Sequence, residues 1–146
     1  MLVQLTSNQI AQAWPGVKEP IRKALIPQMD VTDESLNSIL QHLTQGTSQM
    51  WLLTDLVDGK IVIYAVGTTC FSIEAMTKTK NLLIYSLYGF RLIPDHLWKD
   101  GLATLKAFAK RERCIKLIAF TLVDRVVEIA QRLGAQVNVR QLTWEV

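Results

Sequence analysis

The sequence predicts an α/β (α+β) domain: a mixed, mostly antiparallel central sheet flanked by helices and preceded by a helical N-terminal segment. Three observations lead there. Asp58-Gly59 sits between two apolar runs, and both residues tolerate the positive φ that a two-residue hairpin turn demands. From Asn81 onward the apolar pattern alternates strand, helix, strand, helix, strand. Residues 1–46 instead carry apolar residues at helical spacing, with no period-two run.

Taken in order, Thr6 or Ser7 can cap a first helix over Asn8–Ala13, with Ile10 and Trp14 on one face. Pro15-Gly16 reads as punctuation. A second helix is expected over Val17–Leu25, with Pro20 in its first turn and Pro27 as its stop. Asp30–Thr44 is a third helix. Thr32 with Ser35 forms its N-cap region, Asp33 and Glu34 match the positive end of the dipole, and Leu36, Ile39, Leu40 and Leu43 form its stripe. Gly46 follows its end.

Gln49–Leu56 and Lys60–Thr69 are the hairpin strands, and Cys70–Thr79 is a strand end running into a polar loop. Lys80–Phe90 is apolar on both alternating faces, as a strand covered on each side must be. Its Tyr85 and Tyr88, three residues apart, are expected on opposite faces. Pro94–Arg111 is an amphipathic helix with Trp98, Leu102, Leu105, Phe108 and Ala109 on its stripe. Ile115–Leu122 is a strand, Val123–Leu133 a helix stopped by Gly134, and Val137–Val146 a terminal strand. Residues 1–146 read as one domain, with a helical part (1–46) and a sheet-and-helix core (49–146).

Composition narrows the function. A chain of 146 residues that is 49% hydrophobic and 20% charged supports a core and argues against disorder. The net charge is +3; residues 1–94 hold seven Lys/Arg and seven Asp/Glu, and residues 95–146 hold nine and six. That surplus suits an anion but is no nucleic-acid footprint. Cys70 and Cys114 form no CxxC pair and read as small buried hydrophobes, and His42 and His96 stand too far apart in sequence to suggest zinc. Met1–Gln12 lacks the basic start and apolar core of a signal peptide. No apolar stretch approaches the ~20 residues of a membrane span. The expectation is a protein of a reducing cytoplasm, or of a particle assembled there. Lys106, Lys110, Arg111 and Arg113 close a helix whose dipole they match; they also form a patch that an acidic protein partner could meet.

The order of hairpin, central strand, helix, strand, helix ending in Leu-Gly-Ala, and terminal strand resembles the GNAT family of N-acetyltransferases over Gln49–Val146. Gln49-x-Trp51, Ala65–Thr69, Leu87–Phe90 and the aromatic-rich helix that follows are similar to the small GNAT-like proteins of phages and prophages. The resemblance implies that the strand ending in Leu87, Tyr88 and Gly89 pairs with the pantetheine arm of acetyl-CoA. It also implies a Q/R-x-x-G-x-G/A loop for the pyrophosphate, where glycines let backbone N–H groups converge. His96-Leu97-Trp98-Lys99-Asp100-Gly101 occupies that place, and only Gly101 matches. Arg91 and Lys99 remain as anion contacts. The family's helix asparagine and its proton-donating tyrosine fall on Val123 and Ala130, neither of which can donate a proton.

Three residues could otherwise move protons. Glu74 lies near where a general base often sits in this fold, Tyr88 is a candidate proton donor, and His96 titrates near neutral pH. The competing readings are a solvated loop carboxylate, a packed ring and a first-turn surface residue. With motif and tyrosine both lost, the expectation is a non-catalytic structural or interaction protein of a phage virion or its assembly, binding no cofactor and meeting copies of itself or other virion or host proteins. The alternative is an active N-acyltransferase that uses acetyl-CoA and an amine.

Overall fold

The structure, a computed structural model, describes residues 1–25, 30–137 and 139–146. It is a mixed α+β fold. Five strands, β1 (Leu2–Gln4), β2 (Ser48–Val57), β3 (Lys60–Ile73), β4 (Lys80–Gly89) and β5 (Lys116–Ala119), lie side by side in that order. All neighbours are antiparallel except β4 and β5, which are parallel. Helices α1 (Ser7–Leu25) and α2 (Asp33–Gln45) cover one face, α3 (Asp95–Arg111) the other, and α4 (Asp124–Arg132) follows β5.

The N-terminal segment departs from expectation twice. It begins with a strand, β1, which adds Leu2, Val3 and Gln4 to the edge of β2. Three residues are too few to show an alternation. And α1 is one helix, not two, running through Pro15 and Pro20. Ile10, Trp14, Val17, Ile21 and Leu25 form one buried stripe along it. Each proline removes one backbone donor. Pro15 is exposed, so water can satisfy the carbonyl it frees, while the stripe keeps the axis against the sheet. Thr6 caps the start: its hydroxyl accepts from the Gln9 amide, and its own amide donates to the Gln9 side chain. Pro27, the expected stop, lies outside the described residues.

Helix α2 follows its sequence signals closely. Thr32 and Ser35 form the reciprocal capping box, and Gly46 closes the helix in the left-handed conformation at φ 82°. Arg22 of α1 bridges to Asp33 at 2.7 Å, joining the two helices beside the cap. The hairpin is equally direct, with Asp58 at φ 51° and Gly59 at φ 75°.

The core has two sides. On the α1/α2 side, Ile10, Trp14, Ile21, Leu36 and Leu43 pack on Met50 and Val66. On the α3 side, Trp51, Leu82, Phe108 and Ala109 form one cluster, and Leu53, Ala65, Ile93 and Leu97 another. Beneath α3 runs a buried polar relay: Trp51 Nε1 donates to the Thr69 hydroxyl (2.9 Å), which donates to Gln49 Oε1 (2.7 Å).

The expected terminal strand does not join the sheet. Asn138 lies outside the described residues. Residues 139–146 are assigned to no strand or helix, and every described residue from Gly134 to Val146 is exposed.

Candidate functional site

The site begins with a defect in the β3–β4 ladder. Thr68 pairs with Ser86 and Thr69 with Ile84, so Tyr85 is an extra residue on β4, a β-bulge. A bulge bends its strand and interrupts pairing. On the other edge of β4, pairing with β5 stops at Ile84 and Ala119. From Ser86 to Gly89, β4 therefore presents an edge that pairs with no β5 residue among the described ones. The bulge also resets the alternation. Tyr85 and Tyr88 both pack against the α1/α2 cluster rather than facing apart.

Where the strands separate, a cleft of about 200 Å³ opens. Leu87 and Gly89 of β4 line it, followed by Arg91, Leu92 and Ile93 of the connection, Trp98 of α3, and Arg125 and Val126 of α4. The β4 and α3 residues supply apolar walls, and two guanidinium groups supply charge. A Cβ at Gly89 would stand 3.4 Å from the Arg91 carbonyl oxygen, so glycine permits the turn there to stay close. Arg91 also lies 5.7 Å above the Tyr64 ring, which steadies its approach. Ser86 is buried and bonded to Thr68 across the ladder at 2.6 Å, fixing β4 just beyond the bulge.

The sequence candidates divide accordingly. Leu87, Gly89 and Arg91 line the cleft. Tyr88, between two of them, points to the opposite face, with its ring edge-on to Phe90 at 5.4 Å. Lys99 is exposed on α3 and lines no part of the cleft. Gly101 faces the sheet, where an added Cβ would lie 3.7 Å from Leu53 Cδ1; this is a helix–sheet packing position. His96 is bonded to Asp55 of β2 at 3.0 Å. The His96 ring beside it, and next the Leu56 amide, hold the Asp55 carboxyl below its usual range. Asp100 ion-pairs with the N-terminal ammonium at 3.3 Å.

Glu74 closes its own turn. Its carboxylate accepts from the Thr77 hydroxyl (2.7 Å), the Thr77 amide (2.6 Å) and the Met76 amide (3.1 Å). These donors, the Thr77 hydroxyl first, lower its pKa, which suits a turn anchor better than a base.

Arg125 is the residue that sequence reasoning missed. Its signal was positional: it follows the carboxyl end of a parallel strand, where ligands of such sheets gather. Arg132 of α4 reaches Asp95 of α3 at 3.7 Å, tying the helices that flank the cleft. Helix α3 starts at Pro94 with no side-chain cap, so its first amides have no side-chain acceptor. Burial pushes the Cys70 and Cys114 thiols up. Among the described residues no three His, Cys, Asp or Glu are grouped to hold a metal ion, and no helix is long and apolar enough to cross a membrane.

No protein-family model and no curated protein sequence matches this chain. Solved structures do. It is similar to a predicted acetyltransferase from Clostridium acetobutylicum with acetyl-CoA (TM-score 0.70, 15% identity, covering 99% of this chain and 95% of that one). It is similar to the aminoglycoside N-acetyltransferase AAC(6')-Iy in complex with CoA (TM-score 0.68, 13% identity, 100% and 93%). It is similar as well to glucosamine-6-phosphate N-acetyltransferase from Arabidopsis thaliana (TM-score 0.62, 16% identity, 99% and 97%).

These matches correct the functional expectation. These three structures are acetyltransferases by name, two of them with acetyl-CoA or CoA, and nothing points to a non-catalytic virion component. The expectation that no cofactor binds gains no support either. The bulged β4, its parting from β5 and the end-to-end matches together identify the architecture of this chain as GNAT-like.

Proposed function

We propose that this chain is an N-acyltransferase that moves an acetyl group from acetyl-CoA to an amine. The observation that carries the proposal is the unfilled β4 edge beyond the Tyr85 bulge, flanked by a cleft bearing Arg91 and Arg125.

The cleft's chemistry fits this cosubstrate. Pantetheine is a thin chain with two amides, and an extended backbone edge offers the donors and acceptors to pair with it. Leu87, Ile93 and Val126 would cover its methylenes, and Arg91 and Arg125 would meet its phosphates. A guanidinium binds phosphate through two parallel N–H bonds, so this grip depends less on converging loop amides. The carboxylate of Asp100, which could oppose an anion, is neutralised by the N-terminal ammonium.

The cosubstrate supplies the thioester, and the chain supplies placement. The amine nitrogen attacks the thioester carbonyl, a C–N bond forms, the C–S bond breaks, the thiolate leaves with the electron pair, and the proton lost from the nitrogen reaches the thiolate through water. Holding both reactants against β4 can replace much of the barrier by prepaid entropy, so no dedicated general acid is required for turnover. None of the three candidate proton carriers faces the cleft: Tyr88 packs on the α1/α2 side, and Glu74 and His96 are engaged elsewhere.

The test mixes the full chain with acetyl-CoA and a panel of primary amines and follows thiol release. Release above the no-protein control is expected, with thermal stabilisation by CoA. A ligand at a hundred times its Kd adds about 2.7 kcal/mol. No release from any amine, together with no thermal shift at millimolar CoA, overturns the proposal.

A further inference from the structure

Positive charge gathers at the end of the sheet away from the cleft. There β3 ends, β4 and β5 begin, and α3 finishes. The Ile115 amide donates to the Lys80 carbonyl at 2.8 Å, and Lys80 Nζ donates to the Glu112 carbonyl at 3.0 Å, so these ends are tied together. Residues 73–80 and 110–116 hold six Lys/Arg and two Glu, a surplus of four in a chain whose net charge is +3. Lys78, Lys110, Arg111, Arg113 and Lys116 are exposed, and none of them forms an ion pair among the described residues. The Glu74 carboxylate is held by Met76 and Thr77 of its own turn.

Backbone conformation singles out the same place. Among the described residues, three that are not glycine have positive φ. Asp58 belongs to the hairpin turn; the other two are Lys78 (60°) and Arg113 (61°). Lys78 closes the β3–β4 turn and Arg113 follows the C-cap of α3, positions where glycine is the relaxed choice. The fold gains nothing from a long cation in that conformation. Apolar side chains stand among these cations: Ile73, Met76 and Ile115 are 61%, 88% and 68% exposed. Every residue from Ile73 to Lys78 is exposed, so the turn projects beyond the sheet.

We infer that this end of the chain docks on an anionic lipid surface. Met76, Ile73 and Ile115 enter the headgroup boundary, and the five cations meet the lipid phosphates. A nucleic-acid backbone would match the charge but gives aliphatic side chains nothing apolar to bury against. An acidic peptide would be held best in a groove, whereas this turn protrudes. A bilayer interface offers negative charge with an apolar layer about 5–10 Å beneath it, and it yields to a projecting turn. From Lys80 to Gly89, β4 runs about 30 Å at roughly 3.3 Å per residue, so the cleft stays in water when this end is docked. The inference therefore does not rest on the acyl-transfer reading.

The test is cosedimentation of the full chain with phosphatidylcholine vesicles, pure or containing about 30 mol% phosphatidylglycerol. Binding to the anionic vesicles alone is expected, and about 0.5 M salt should remove it. Lys78→Gly relaxes the left-handed turn while deleting one cation, so its melting midpoint should rise and its vesicle affinity should fall about fivefold. Met76→Ser, at the exposed tip, should keep the midpoint and lose affinity about tenfold. A chain that ignores anionic vesicles overturns the inference, and more so if it binds heparin or polyglutamate instead. Vesicle binding that Lys78→Gly leaves intact overturns it. So does binding that survives Met76→Ser unchanged, which would be adsorption by charge alone.

Discussion

Replacing Gly101 by Ala separates two roles for one residue. The family resemblance makes Gly101 the last glycine of a phosphate loop, whereas the structure places it inside α3 against β2. Glycine in a helix interior is disfavoured by about 1 kcal/mol relative to alanine, because its unfolded backbone has more freedom to lose. The new methyl would rest 3.7 Å from Leu53 Cδ1, an ordinary contact that requires no displacement. Gly101→Ala should therefore stabilise the fold by about 1 kcal/mol. At roughly 2.1 cal/mol/K of unfolding entropy per residue, 146 residues give about 0.3 kcal/mol per degree, so the melting midpoint should rise by about 3 °C. Calorimetry measures the midpoint, and titration with CoA measures affinity on the same samples. The expected pair of results is a higher midpoint with unchanged affinity. A lower midpoint would refute the packing argument. A higher midpoint with affinity lost tenfold or more would return Gly101 to the phosphate site.

Three further outcomes are expected. Thr69→Val leaves the Trp51 indole N–H without an acceptor and the Gln49 side chain without its donor in a buried layer; urea denaturation should show a loss of about 2–4 kcal/mol. Arg91→Ala and Arg125→Ala should each weaken CoA about ten- to a hundredfold by titration, with less effect on desphospho analogues. Asp33, Asp55 and Glu74 have folded pKa values below their ordinary ones, through Arg22, His96 and Thr77 respectively. Depressed carboxyl pKa values mean that the unfolded chain binds more protons in acid, so stability is complete above the ordinary carboxylate range and falls as pH drops through and below it. Urea midpoints at pH 7 and pH 3 should differ in that direction, and less so in the Asp33→Asn/Asp55→Asn double variant.

Local chemistry made much of the fold legible. Asp58-Gly59 and the Thr32–Ser35 cap are decided within a few residues of chain, and both appear where the sequence places them. Longer-range effects were not legible. Continuous burial of the stripe from Ile10 to Leu25 carries α1 through two prolines that read locally as breaks. The bulge at Tyr85 is a property of two strands together, and no single-strand pattern announces it; it moves Tyr85 and Tyr88 to one face and creates the cleft. Leu87, Gly89 and Arg91 were visible because they continue that strand. Arg125 belongs to the cleft only through the crossing of α4 beside β4, a tertiary fact. The terminal segment shows the reverse case, with strand-like alternation and no strand assigned among its described residues.

Hydrogen exchange of the backbone with and without acetyl-CoA probes the ligand strand most directly. Amides of β4 from Ser86 to Gly89 that point away from β3 should exchange at least tenfold more slowly with the cosubstrate bound, while those of α2 stay unchanged. Unaltered exchange along that stretch at saturating acetyl-CoA, or protection confined to another surface, would contradict the assignment of β4 as the acyl-carrier's partner strand.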